Sequence, residues 1–283
     1  MKAIYPLLPE TFRRWNAHRV PRMGAALSFY TVFSLAPLVI LTLSLVSLAI
    51  EKNAARAEMI AQFRAQVGDP GANMVETILA HTSAANTSSW QTILGFIVLL
   101  VGASGVFGEL QDSMNQIWDV TPQRNPVVVV IKERVMSFVM VFVVSALLLL
   151  SFIFSALAAL AGTFLHGVFP RLDRVWEWAN SGLSLLVIVA LFALIYRAIP
   201  DARVTWRDVY PGAVIAALLF IVGKYVLGFY FGLSSITSMY GAAGSLIVVL
   251  MWVYYSAQIM LFGAVFTRVY ALQIGSHRGG EVA

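Results

Sequence analysis

Hydrophobic positions in this chain gather into six long runs separated by short polar stretches. The runs are Gly24–Ile50, Thr92–Gly108, Val135–Ala161, Leu183–Ile199, Val209–Leu233 and Ala243–Leu272. A bilayer-spanning helix needs about 20 mostly apolar residues, each rising about 1.5 Å. The pattern therefore predicts an all-α fold: a polytopic membrane helical bundle with six transmembrane helices plus amphipathic interfacial helices, forming a single membrane domain over residues 1–283.

Between the runs the periodicity becomes amphipathic. Pro9–His18 carries Phe12 and Trp15 among its arginines, as an interfacial helix does. In residues 53–67, Ile60, Phe63 and Val67 recur at helical spacing, with Met59 beside Phe63. A turn at Gly68-Asp69-Pro70-Gly71 precedes Met74, Ile78 and Leu79. This predicts a helical hairpin over residues 52–88 on the outer face, either a packed connector or a lid. Leu110, Met114, Ile117 and Trp118 are expected to carry the second span along the inner membrane surface. Helix contacts are expected at small residues: Gly102, Gly105 and Gly108, then Ala213, Ala216 and Ala217, then Gly223 and Gly228-x-x-x-Gly232.

Composition agrees with the pattern. Of 283 residues, 59% are hydrophobic and 12% charged, and the mean hydropathy is +0.80, outside the range of soluble domains. The longest polar stretch, Glu51 to Gln91, is too short for an independent catalytic core. The chain has no cysteine, which excludes disulfides, thiolate metal sites and a thiol nucleophile. The first 23 residues show no cleavable signal, so the first span is expected to direct insertion. In a six-span arrangement, thirteen Lys and Arg fall on one side and five on the other, with Lys224 inside a span. The positive-inside rule then predicts that both termini are cytoplasmic. The net charge of +5 suits anionic lipid headgroups, and no nucleic-acid partner is expected.

Lys224 is the residue out of place. It lies about 20 Å along its helix from Pro211, near the bilayer midplane. A central lysine costs roughly 2.5–3.5 kcal/mol on insertion scales and normally faces an interior cavity with a partner. No Asp or Glu lies deep in any run; Glu109 and Asp112 stand at the inner mouth of the second. Three environments fit: hydrogen bonds to Gln258, Tyr225 or backbone carbonyls; a wet cavity that draws an anionic group; or a proton-coupling site. Ser28, Tyr30, Thr31 and Ser34 precede Pro37, and either support a proline kink or line a substrate path. Ser234 to Gly244 is uncharged and rich in hydroxyls and glycine. Its amides suit a phosphate or carboxylate, and a plain connector fits equally. The four histidines are dispersed, and no catalytic or phosphate-cradling motif is present. Neither catalytic residues, metal ligands nor cofactors are expected.

Several stretches resemble the bacterial YihY/BrkB family of inner-membrane proteins: Ala25 to Pro37, Met114 to Trp118, Tyr196 to Asp201, Pro211 to Ala213, Tyr240 to Gly244, and Trp252 to Gln258 with Gly263-Ala264. The resemblance runs through nearly the whole chain and implies a six-span cytoplasmic-membrane protein. Members of that family have carried the name ribonuclease BN, a link to serum resistance, and a suggested role in moving lipopolysaccharide precursors. The residues themselves point to a transporter or flippase-like protein for an anionic lipid or amphiphile, with Lys224 attracting the headgroup. Tyr30, Ser34, Tyr225, Gln258, Tyr240, Gly241 and Gly244 are further candidate contacts. The alternatives are a non-transporting envelope scaffold and, with least support, a tRNA-processing ribonuclease.

Overall fold

The computed structural model describes residues 7–47, 51–84, 105–120, 173–233 and 242–277. The expected third run, most of the second, and residues 85–88 of the hairpin lie outside the described residues. Those that are described are helical, with no strand among them. In chain order the helices are α1 (Leu7–Ala17), α2 (Val20–Val46), α3 (Lys52–Val67), α4 (Asp69–Ala84), α5 (residues 105–117), α6 (Asp173–Ala198), α7 (Trp206–Leu233) and α8 (Ala242–Gln273). Three stretches are long and apolar enough to cross a membrane: Val20–Ser44, Trp206–Phe231 and Gly244–Gln273. A shorter apolar stretch, Leu185–Ala198, ends α6. That helix starts at Asp173, ahead of its apolar run, and Asp173 to Asn180 contains neither Gly nor Pro to stop it.

α1 is short, and local pairing holds it. Glu10 accepts from Arg13 and Arg14 at 2.9 and 2.8 Å, and Phe12 stacks on Trp15 at 5.4 Å. Its buried positions, Leu7 and Thr11, lie one turn apart. A break at His18–Arg19, with Arg19 at φ 53°, re-aims the chain into α2.

α8 is the hub, packed against α7, α2, α1 and α4. Its contact with α7 depends on missing side chains. A Cβ on Gly212 would lie 1.9 Å from Thr267 Oγ1 and 2.7 Å from the Gly263 carbonyl oxygen. A Cβ on Gly263 would meet Tyr196 Oη at 2.2 Å, where that hydroxyl donates to Met260 O at 2.8 Å. Ala213, Ala216 and Ala217 are fully buried at the same seam. Gly228, expected at a helix contact, has open space around it instead; the close approach lies at Gly212, Gly223 and Gly263.

The α3–α4 hairpin turns at Gly68, whose φ of 85° suits glycine. Ala55, Met59, Val75 and Leu79 pack on Leu35, Val39, Leu43 and Val46 of α2 and on Val249 of α8. The hairpin is thus seated along two long helices. Helix α5 departs from expectation. Leu110, Met114, Ile117 and Trp118 are 6%, 0%, 0% and 1% exposed and belong to the main core. The segment is inside the bundle and does not run along a membrane surface, because its apolar stripe meets α6 and α8 before it can meet lipid.

Candidate functional site

Lys224 lies 4, 7 and 11 residues beyond Phe220, Ala217 and Ala213, on the inward stripe of α7. It is half-buried. Its neighbour Gly223 abuts the Tyr255 ring, where a Cβ would come within 2.0 Å. Tyr255 is the 14th of the 32 residues of α8, which puts Lys224 near mid-depth of the bundle. Among the described residues, no hydrogen bond or ion pair reaches its ammonium group.

The other sequence candidates are spread around it. Tyr225 is 71% exposed, turned outward from the same helix. Gln258 faces α2: a Cβ on Gly24 would lie 2.0 Å from its Nε2, and both carboxamide atoms are buried without a partner. It therefore does not supply the hydrogen bond to Lys224 that its composition allowed. The Tyr30 ring covers Gly105 of α5. Ser34 is buried and donates to Thr31 O at 3.0 Å. Ser28 and Thr31 donate to Gly24 O and Leu27 O at 2.6 and 2.7 Å. None of these acceptors is the Phe33 carbonyl that Pro37 frees, so these hydroxyls do not cap the proline break. Gly244 is buried in the first turn of α8, while Tyr240 and Gly241 lie outside the described residues.

What the fold brings together is an apolar hollow. A cavity of about 340 Å³ lies between α2, α5, α6, α7 and α8, walled by Leu27, Leu110, Phe192, Phe220 and Met260. Its volume falls in the range of about 300–1,000 Å³ for small-molecule sites. The Thr31 hydroxyl at its edge is already committed to Leu27 O. Lys224 is not part of that lining; it stands one helical turn beyond Phe220, which is.

At the other end of the bundle is a polar knot that pattern reasoning passed over, because its members read as isolated charges. Arg268, 6% exposed, donates to Ile117 O at 2.6 Å and pairs with Asp119. It also approaches His18 Nε2 at 3.3 Å. One guanidinium thereby joins the α1–α2 break, the C-terminus of α5 and α8. Nearby, Gln111 and Asn115 both donate to Asp201 Oδ2 at 3.0 Å, and Asp201 N donates to Asn115 Oδ1 at 2.8 Å. The only sequence signal for this knot was the family-like runs Met114 to Trp118 and Tyr196 to Asp201.

Burial holds the His18 imidazole below its ordinary value of 6.5; Arg268 and Arg14 add to the fall and Asp119 opposes it. The folded protein thus binds this proton less readily than the unfolded chain. The resulting stability is complete above about pH 6.5 and is lost as pH falls through the lowered folded value. Resistance to thermal unfolding in detergent should therefore weaken as pH falls from 7.5 to 5, and His18→Gln should remove part of that slope. A variant with the same pH profile as the natural chain would refute the assignment.

Among the described residues, no three side chains of the metal-ligating kinds converge. No solved structure matches this chain. It is 27% identical over 260 residues to the ribonuclease-like protein YfkH of Bacillus subtilis (strain 168), covering 90% of this chain and 92% of that one. It is 32% identical over 265 residues to a UPF0761 membrane protein of Pseudomonas aeruginosa (strain LESB58), covering 90% of this chain but 61% of that one. A UPF0761 membrane protein of Janthinobacterium sp. (strain Marseille) is 27% identical over 263 residues, with 57% of its length matched. The chain thus spans about three-fifths of the UPF0761 relatives it matches. The family model for virulence factor BrkB matches residues 11–281, and the chain belongs to that family of membrane proteins.

Proposed function

We propose that this protein moves an anionic lipid or similar amphiphile across the bacterial inner membrane, within a six-span bundle whose termini are both cytoplasmic. The observation that carries the reading is a 340 Å³ apolar cavity with an unpaired Lys224 one helical turn beyond its Phe220 wall. An apolar lining keeps an aliphatic tail out of water as it leaves the bilayer, avoiding a cost of roughly 25 cal/mol per Å² exposed. An anionic headgroup offsets the cost of holding an ammonium at mid-depth without a protein acid. The apolar lining favours an amphiphile over a fully polar solute, and Gln258 adds a buried carboxamide with unused hydrogen-bonding capacity. The ribonuclease-like name belongs to YfkH; no metal-ligating set goes with it among the described residues.

The test is flux in reconstituted vesicles, comparing fluorescent anionic and zwitterionic lipid analogues. Lys224→Met should insert and fold normally yet lose at least about tenfold in anionic-lipid movement, the equivalent of one charge-assisted contact. Equal flux by variant and natural protein would remove Lys224, and with it this reading.

A further inference from the structure

A second polar feature stands well away from Lys224, at the start of α7. A groove of about 600 Å³ is bounded there by Trp206, Arg207, Tyr270 and the 274–276 hook that follows α8. The Arg197 guanidinium lies 4.7 Å over the Trp206 ring and is fixed by donating to Val204 O at 2.9 Å. Trp206 is still 43% exposed, and its ring lies 6.1 Å from that of Tyr210. Arg203 and Arg207 are both exposed, and neither has an ion-pair partner among the described residues.

The one carboxylate lining this groove is turned away from solvent and engaged by the protein. Asp208 is 1% exposed. It accepts from Thr205 Oγ1 at 2.7 Å, from Ser276 N at 3.1 Å and from Ser276 Oγ, with His277 Nδ1 3.9 Å away. Its oxygens face the hook, where a Cβ on Gly275 would come within 2.0 Å. The free charge of the groove is therefore positive. Below it, Tyr210, Val214 and Leu218 follow at four-residue steps along α7 and are 54%, 42% and 50% exposed. Unpaired guanidinium groups above an aromatic collar and an exposed aliphatic face fit one class of ligand, a phosphodiester carrying acyl chains.

We propose that this groove is a binding site for an anionic glycerophospholipid, its phosphate held by Arg203 and Arg207 and its acyl chains lying along Tyr210, Val214 and Leu218. The site does not depend on transport. It lies about 25 Å along α7 from Lys224, so the two assignments can fail separately.

The experiment is native mass spectrometry of the purified chain in a mild detergent, offered equal amounts of phosphatidylglycerol and phosphatidylcholine. The natural protein should retain phosphatidylglycerol about fivefold or more over phosphatidylcholine. In a K224M background, which removes the other proposed anionic-lipid contact, R203Q/R207Q should bring that ratio close to one, and R203K/R207K should keep most of it. Millimolar inorganic phosphate should not displace the lipid. Equal retention of the two lipids by the natural protein would overturn the proposal. So would an unaltered preference when R203Q/R207Q is made in the K224M background, or displacement by phosphate alone.

Discussion

Replacing Arg268 with methionine is expected to destabilise the folded protein by about 2–4 kcal/mol, read as a lower thermal midpoint in detergent. Methionine fills a similar apolar volume, so the loss is chiefly polar. It comprises the charge-assisted bond to Ile117 O and the pair with Asp119. Ile117 O is then left at the C-terminus of α5 with its acceptor unmet, inside the main core. Asp119 is 60% exposed, so the acid left behind is solvated, which keeps the cost below that of orphaning a fully buried charge. Asp119→Asn should cost less, about 1 kcal/mol, because asparagine keeps an acceptor and tolerates the φ of 52° at that position. Equal stability of R268M and the natural chain would show that the knot is a bystander.

Gly212→Ala should be the most disruptive single methyl in the bundle. Its Cβ would come 2.7 Å from a backbone oxygen, that of Gly263, as well as 1.9 Å from Thr267 Oγ1. Thr267 could rotate only by giving up its 2.8 Å bond to Gly263 O, and the backbone oxygen cannot move aside. α7 and α8 would have to separate along a seam of buried alanines, at a cost of about 1–3 kcal/mol. Gly228→Ala, with open space around it, serves as the internal control and should be neutral or slightly stabilising. The two variants unfolding at the same temperature would contradict the close-packed seam.

Much of the fold could be read from the hydrophobic pattern. The lengths of the runs at Gly24–Ile50, Val209–Leu233 and Ala243–Leu272 anticipate α2, α7 and α8, because an apolar run of that length has few folded states other than a helix. The Gly68-Asp69-Pro70 turn was legible for the same local reason: only glycine there takes the positive φ without strain. The resemblance to the BrkB family, read from scattered runs, matches the family model over residues 11–281.

The partners of individual side chains were less legible. Helical periodicity gives Leu110, Met114 and Ile117 a common stripe but does not say whether lipid or α6 and α8 meet it, since both are apolar. Glycine spacing shows that close approach is possible at Gly223 and Gly228 alike; only the neighbouring helix makes the first a contact and leaves the second open. Gln258 and Lys224 both look like polar residues in search of a partner, yet one is wedged against Gly24 on α2 and the other lies on the inward stripe of α7.

By itself, then, the sequence determined the solvent, the helical class, the family and the presence of a cation in an apolar span. The family came from the resemblance of specific runs; the rest follow from composition and period along one dimension. The tertiary structure alone decided that five helices enclose an apolar cavity, that Arg268 joins three helices, and that Arg207 lines a groove with Trp206 and Tyr270. Those facts depend on which helix faces which across 60 to 250 residues of chain, and side-chain periodicity carries no record of a helix's neighbours.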